Sequence, residues 1–356
     1  MPAVGRKRHM MPGLRMLAAG ALLAAGALSA GAETVLRFSD YGPNRGTRAA
    51  ALEWFAEELA RRTDGEVRIE FHWGGSLLGG RDTLAGVGDG VADMGTIVGF
   101  FTPRELQLYN IGDLPVDNSD MWVGLHAMFD LARGPAISAE FAAANVRYVT
   151  NYTTGPIQLI CRRPVASLDE LKGLKIRASG PYGDTLARLG AEVVRMSQAD
   201  VYQALDSGLI DCNQNYYYAM VAYRQYEVAP HVLALDWGQN MSFGIVINAA
   251  SHAALSPHAQ QVLEELGRDF LDHLARAMER TEEEARARMQ AGIDGHSITV
   301  TALPEADRAR LIEASAAAIE DWKARVTANG ADGAGLLAEY LALIAKYRAE
   351  KAGSAR

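Results

Sequence analysis

The run Val67-Arg68-Ile69-Glu70-Phe71 alternates apolar and polar residues, the period-2 signature of a half-buried strand. Before it, residues 47–63 place Leu52, Phe55, Ala56 and Leu59 on one face at helical spacing, which predicts a helix. Thr34–Phe38 predicts a first strand, and the loop Ser39-Asp40-Tyr41-Gly42-Pro43-Asn44 follows it. A loop holding Gly74, Gly75, Gly79 and Gly80 leads to a short helix, and Val91–Val98 predicts the next strand. The order β-α-β-α-β implies parallel strands with helices on the sheet faces.

Residues 119–145 read as one helix. Val146–Thr150 and Ile157–Cys161 are strand-like, and Leu174–Arg177 is a strand after a Lys-Gly turn. Thr185–Leu189 and Ala199–Leu205 predict helices, and Leu209–Cys212 a strand, so a second α/β unit spans roughly 153–241. Gly244–Asn248 predicts a further strand whose sheet the local pattern does not specify. Ser256-Pro257 marks a helix start, with serine capping and proline at the first helical position. Leu263, Leu266, Phe270, Leu274 and Ala277 mark its buried face, while Arg280–Arg288 is almost wholly charged and predicts a solvated end. A helix of that length reaches about 45–50 Å, enough to lie across two domains. Helices near 304–329 and 336–349 complete the chain. The fold class is α/β.

Composition narrows the function classes. The 356 residues hold 35 Lys+Arg and 43 Asp+Glu, for a net charge of −8. That acidic balance argues against a nucleic-acid binder, which carries a basic face. At the start, Arg6, Lys7, Arg8 and Arg15 precede the apolar run Leu17–Leu28 and the small residues Ala30-Gly31-Ala32. These are the three parts of a secretory signal peptide over residues 1–32, so a mature chain in the periplasm is expected to begin near Glu33 with a net charge of −12. Two cysteines, Cys161 and Cys212, are too few for a disulfide-dense scaffold or a four-cysteine metal site. An oxidising compartment permits them to pair, and two buried thiols fit as well.

No catalytic constellation emerges. Ser76 lies in Gly74-Gly75-Ser76-Leu77-Leu78, which lacks the closing glycine of a nucleophile elbow. HExxH, CxxC and P-loop patterns are absent, and His252 and His258 flank a turn and a helix start like a solvated pair. A periplasmic enzyme therefore has no motif to rest on, and no cofactor is implied. A binding protein fits better, because open α/β sheets hold ligands beyond the carboxyl ends of their strands. Those ends are Ser39–Tyr41, Trp73–Gly80, Val98–Phe101, Arg177–Tyr182 and Asn213–Tyr217, an aromatic and amide-rich set with one well-placed cation.

A set of motifs then becomes specific. Leu171-Lys172-Gly173-Leu174-Lys175-Ile176-Arg177 is followed in order by Leu189-Gly190-Ala191, Asp200-Val201-Tyr202-Gln203-Ala204-Leu205, Gly208-Leu209-Ile210-Asp211 and Tyr226-Glu227-Val228. Upstream stand Gly65-Glu66-Val67, Gly75-Ser76-Leu77-Leu78-Gly79 and Gly90-Val91-Ala92-Asp93-Met94. The ordered set resembles the DctP-type substrate-binding proteins of TRAP transporters over nearly all of the mature chain. The resemblance implies a two-lobed periplasmic binding protein with a hinge and a long C-terminal helix spanning both lobes. Lobe I would comprise 33–153 plus about 242–280. Lobe II would comprise 154–241 plus about 281–350 with the C-terminal helices. Such a receptor would capture a small organic acid and deliver it to a small and a large membrane subunit that couple uptake to a sodium gradient. A ligand-sensing partner of a signalling receptor is the competing role, and the neighbouring genes discriminate the two.

The resemblance also implies residue roles. Arg177 matches the arginine that clamps the substrate carboxylate, through the planar fork that donates two parallel hydrogen bonds. Asn215 matches a supporting asparagine. Cys212 stands where the family usually has glycine, which makes its pairing with Cys161 worth testing. Ile157 replaces a second arginine of sialic-acid-binding members, and Val98 and Phe101 stand near a polar pair of theirs. Unpaired sugar hydroxyls against apolar walls would cost kilocalories each. The expected ligand is therefore a small monocarboxylate with an apolar or aromatic body. A C4-dicarboxylate is the alternative and needs a second cation. Tyr41, Trp73, Phe100, Phe101, Tyr216, Tyr217 and Trp237 are candidates for the wall, and Gln158 and Gln239 for polar contacts.

Overall fold

The computed structural model describes residues 33–116 and 118–354; the expected signal peptide lies outside them. In chain order the first half gives β1 (Thr34–Ser39), α1 (Gly46–Arg62), β2 (Val67–His72), α2 (Thr83–Gly88), β3 (Met94–Val98), α3 (Met121–Ala132), α4 (Pro135–Ala143), β4 (Val146–Tyr152), β5 (Ile157–Cys161) and β6 (Lys175–Arg177). Next come α5 (Gly180–Arg188), β7 (Glu192–Val194), α6 (Val201–Ser207), β8 (Cys212–Asn215), α7 (Tyr217–Ala222), β9 (His231–Trp237), β10 (Phe243–Asn248) and α8 (Ala249–Ala254). The chain ends in α9 (Pro257–Ala291), β11 (Thr299–Ala302), α10 (Glu305–Ala328) and α11 (Gly333–Ser354).

Two sheets form, in the orders β2-β1-β3-β10-β4 and β11-β9-β5-β8-β6-β7. Each combines a parallel trio with an antiparallel strand delivered from elsewhere in the chain. In the first, β1 runs parallel to β2 and β3, and β10 enters antiparallel between β3 and β4. In the second, β6 runs parallel to β7 and β8, and β5 lies antiparallel between β8 and β9. The chain crosses from the first sheet to the second between Tyr152 and Ile157 and returns between Trp237 and Phe243. Asn240 ties the two crossings, its N–H donating to Thr154 Oγ1 at 3.1 Å. This is the expected two-lobed architecture.

Helix α9 is the third link. Leu263, Leu266, Phe270, Leu274 and Met278 enter the first core, while Ala285 and Met289 enter a core of the second sheet. Ser256 Oγ caps it by accepting from Ala259 N at 3.1 Å, as the sequence leads one to expect.

Several expectations need correction. The helix over 119–145 is two helices, α3 and α4. Gly134 is extended (ψ 155°) because the following Pro135 disfavours the helical region for the residue before it. Strand β8 begins at Cys212, not Leu209; Gly208 is left-handed and Leu209 is 58% exposed in the turn. The charged end of α9 is not uniformly solvated, since Glu282 is buried and accepts from the N–H groups of Tyr217 and Tyr218 that open α7. Helix α11 packs with the first lobe rather than the second. Its Leu336, Tyr340, Ile344 and Tyr347 join the first core, and α10 adds Trp322 and Val326 there while giving Leu311 to the second. An amphipathic helix declares that a face is buried, not which core receives it.

Candidate ligand-binding cleft

Arg177 ends β6, where Gly173 and Gly190 close the turns that bring β6 beside β7. Its Nε donates to the Met196 carbonyl at 3.2 Å, and among the described residues no carboxylate pairs with it. Burial lowers its pKa from the ordinary guanidinium value, while the phenols of Tyr216, Tyr41 and Tyr223 partly offset this. A desolvated cation without a counter-ion is costly, and an incoming anion relieves that cost.

The first lobe faces it with a closed ring of five aromatic side chains. Tyr41 lies edge-on to Phe101 (6.1 Å between centroids), Phe101 to Phe100 (4.9 Å), and Phe100 to Phe243 (5.8 Å). Phe243 packs on Tyr152 (5.0 Å), and the Tyr152 hydroxyl returns to that of Tyr41 at 3.5 Å. Tyr41, Phe100, Phe101 and Tyr152 lie at or just past the carboxyl ends of β1, β3 and β4. Phe243 opens the antiparallel β10, so its amino end falls at the same edge, opposite Val98 and Tyr152. Gly80 makes room for the ring, because a Cβ there would meet Phe101 at 3.0 Å and Tyr41 at 3.3 Å. Burial holds the Tyr41 and Tyr152 phenols well above their ordinary pKa, so they stay neutral donors.

The second lobe adds Tyr216, whose hydroxyl accepts from Asn240 Nδ2 at 2.9 Å and whose ring stacks parallel to Tyr218 at 5.9 Å. The lobes approach at several places, Tyr182 of α5 donating to the Leu114 carbonyl at 3.5 Å among them. Phe100 Cβ lies 4.0 Å from where a Gly180 Cβ would sit, and the Arg45 guanidinium lies over Tyr223 at 5.3 Å.

The sequence-derived candidates separate here. Arg177, Tyr41, Phe100, Phe101 and Tyr216 come together. Asn215 shares the sheet face of Arg177, through the register Arg177↔Asn213, but its Nδ2 donates to Gln225 Oε1 at 2.8 Å within a buried amide cluster. Trp73 stacks on Phe71 at 4.6 Å and shares Arg48 with Tyr41 and Tyr152. Trp237 is not in the cleft group. It lies edge-on to Tyr182 under α10, with Nε1 donating to Ser315 Oγ at 3.2 Å. Gln158 is engaged with the neighbouring strand, its Nε2 donating to Asp236 Oδ1 at 2.8 Å and its Oε1 accepting from Asp236 N at 2.9 Å. Tyr217 is core beside Met220 and Met289. Gln239 braces the crossing by accepting from Thr153 Oγ1 at 2.5 Å.

Tyr152, Phe243, Tyr218, Tyr223 and Arg48 escaped the sequence reading. A strand ending at Thr150 stops short of Tyr152, and nothing local shows that β10 runs antiparallel. Cys161 and Cys212 are disulfide-bonded directly across the β5–β8 pair. A surface cavity of about 370 Å³, lined by Arg147, Tyr148 and His252 among others, opens at the end of β4 remote from Tyr152. His258 Nε2 meets the Arg62 carbonyl at 3.1 Å. Among the described residues no group of His, Cys, Asp and Glu is arranged to hold a metal ion, and no helix is long and apolar enough to cross a membrane.

Two α/β lobes joined by paired crossings, with Arg177 facing an aromatic wall, define a small-solute receptor. The family of bacterial extracellular solute-binding proteins, family 7 (DctP), matches residues 38–325, and the chain belongs to it. It is therefore a TRAP solute receptor and not an enzyme. It is 25% identical over 260 residues to the C4-dicarboxylate-binding periplasmic protein DctP of Rhodobacter capsulatus, covering 72% of this chain and 77% of that one. A TRAP periplasmic solute-binding protein of Desulfovibrio salexigens, solved as an open complex, superposes with a TM-score of 0.79 at 27% identity, covering 89% of this chain and 97% of that one. A Bordetella bronchiseptica TRAP periplasmic solute-binding protein with bound (R)- and (S)-mandelate gives 0.79 at 23% identity, with 88% and 99% covered.

Proposed function

We propose that this receptor captures a small monocarboxylate with an apolar or aromatic body in the periplasm, after its signal peptide is removed, and delivers it to the two membrane subunits of a TRAP transporter. The observation that carries the reading is Arg177, a half-buried cation without a carboxylate partner among the described residues, facing the ring Tyr41–Phe101–Phe100–Phe243–Tyr152. The guanidinium fork takes the ligand carboxylate in two parallel charged hydrogen bonds. The aromatic faces take the ligand body, and Tyr216 and Asn240 supply polar contacts at its edge. Bound mandelate in the Bordetella bronchiseptica protein, an aromatic 2-hydroxy acid, is consistent with such a ligand on this fold.

The lobes close about the crossings 153–156 and 238–242. A ligand that touches both lobes binds the closed state better and shifts the population toward it.

A C4-dicarboxylate is the second reading, favoured by the Rhodobacter capsulatus relative and by Arg48, a second cation near the aromatic ring. A thermal-shift screen of the mature chain against aromatic, branched 2-oxo and 2-hydroxy monocarboxylates and C4-dicarboxylates separates the two. At 100 times its Kd a ligand stabilises by about 2.7 kcal/mol, a shift of several degrees or less in a protein of this size. Arg177→Ala is expected to abolish that shift while leaving the ligand-free melting temperature nearly unchanged. Retained affinity in the variant removes the clamp, and stabilisation by dicarboxylates alone selects the second reading.

A further inference from the structure

Arg48 sits in the first turn of α1 with a side chain 16% exposed, and its guanidinium lies 5.9 Å from the ring centroids of Tyr41, Trp73 and Tyr152 alike. Two of those rings belong to the aromatic wall. The cation is therefore set just behind the surface that the ligand body touches. Asp40, wholly buried at the carboxyl end of β1, meets it with Oδ2 at 2.5 Å from Nη1. The same carboxylate accepts from Thr96 Oγ1 at 2.8 Å and, through Oδ1, from Gly42 N at 2.7 Å. Burial works against the Arg48 charge, but the Asp40 carboxylate, together with the Tyr152 and Tyr41 phenols, outweighs it and raises its pKa above the ordinary value. Arg48 and Arg177 come from opposite lobes, and both lie within electrostatic range of the Tyr41 phenol.

The two arginines thus differ in one respect. Arg177 has no anionic partner, while Arg48 has one held by two further donors. We infer that Asp40 sets the receptor's charge preference: by neutralising Arg48 behind the aromatic wall, it removes the positive charge that a ligand's second carboxylate would meet beside Tyr41 and Tyr152, and so selects one carboxylate over two; the other cation on the wall, Arg81 over Phe101 at 5.2 Å, is exposed to solvent. The inference rests on Arg177 being the carboxylate clamp. A ligand's second carboxylate, placed toward Tyr41 and Tyr152, meets neutral rings and a cancelled ion pair, so its desolvation goes uncompensated. Removing the Asp40 charge exposes Arg48 to that second carboxylate.

The test measures affinities of the mature receptor for benzoate and mandelate and for terephthalate and succinate, by calorimetry. The wild type is expected to prefer the monocarboxylates. Asp40→Asn is expected to move the dicarboxylate-to-monocarboxylate affinity ratio at least tenfold toward the dicarboxylates. Arg48→Met leaves Asp40 without its cation and is expected to weaken every carboxylate at least tenfold. The double variant, neutral again, is expected to return to the wild-type ratio. Arg177→Ala runs alongside. If it abolishes binding while Asp40→Asn leaves the ratio within twofold, the charge-selection inference is overturned and the clamp stands. If no carboxylate binds the wild type, or Arg177→Ala binds as well as it, the clamp and this inference fall together. Should Asp40→Asn fail to fold, Arg48→Met decides, and unchanged affinities in that variant overturn the inference.

Discussion

Glu282 illustrates how burial changes a charged residue's role. It receives the two N–H groups that open α7, next to Tyr216 in the cleft, and burial pushes its pKa up to about 7 despite those bonds. An unfolded glutamate titrates near 4.5, so between about pH 4.5 and 7 the folded chain binds more protons. Stability from this group is therefore full below pH 4.5, falls as pH rises toward 7, and is level above. Glu140 (about 7) and Asp113 (about 6) act in the same direction. Glu282→Gln is expected to flatten the decline between pH 5 and 7.5 by roughly 2–3 kcal/mol, read from denaturant unfolding at both pH values. An unchanged slope would show that Glu282 does not carry it. In the sequence Glu282 is one of a run of charges with no mark of burial. Arg177, by contrast, was legible, because its motif fixes both its strand and its place at the strand's end. Asp40 and Arg48 were not, since eight residues separate a loop acid from a helix base and only the fold closes that gap.

At the scale of elements, α9 lies on β4 so closely that Gly267 is the contact. A Cβ there would come 2.4 Å from the Val149 carbonyl oxygen, while Thr150 Oγ1 donates to the Gly267 carbonyl at 2.6 Å. Helix propensity alone favours Gly267→Ala by about 1 kcal/mol. The backbone clash reverses the sign, and the variant is expected to lose about 1–3 kcal/mol and to melt several degrees lower. A rise in melting temperature would mean that the helix shifts freely. The long helix, its cap and most strands followed from local pattern. The two short strands β7 and β11 and the strand β9 did not enter the sequence reading. The break at Pro135 was present in the sequence as a proline, but the apolar run on either side obscured it.

At the scale of the molecule, the two crossings and the helices α9 and α10 join the lobes, and one covalent bond staples the second sheet. Cys161 and Cys212 are separated by 51 positions and pair across adjacent antiparallel strands. Reduction reopens that loop and is expected to cost about 3–4 kcal/mol in denaturant unfolding. Ligand affinity should survive reduction where the chain remains folded, because the sulfurs lie on the sheet face opposite Arg177. Loss of binding without loss of fold would contradict that separation. Cysteine usage and the compartment permitted this pairing, but only the register of β5 and β8 brought the sulfurs together.

The sequence by itself determined the α/β class, the order of most elements, the family and the arginine at the end of β6. These are local: periodicity, caps and a motif each lie within a few residues of what they specify. The tertiary structure alone decided the antiparallel entry of β10 that closes the aromatic ring. It also decided that Trp237, Gln158 and Tyr217 lie in packed interior rather than in the cleft group, that α11 covers the first core, and that Asp40 cancels Arg48. Each of these depends on which chain segments meet across tens to hundreds of residues, and pattern along the chain specifies burial without specifying the partner.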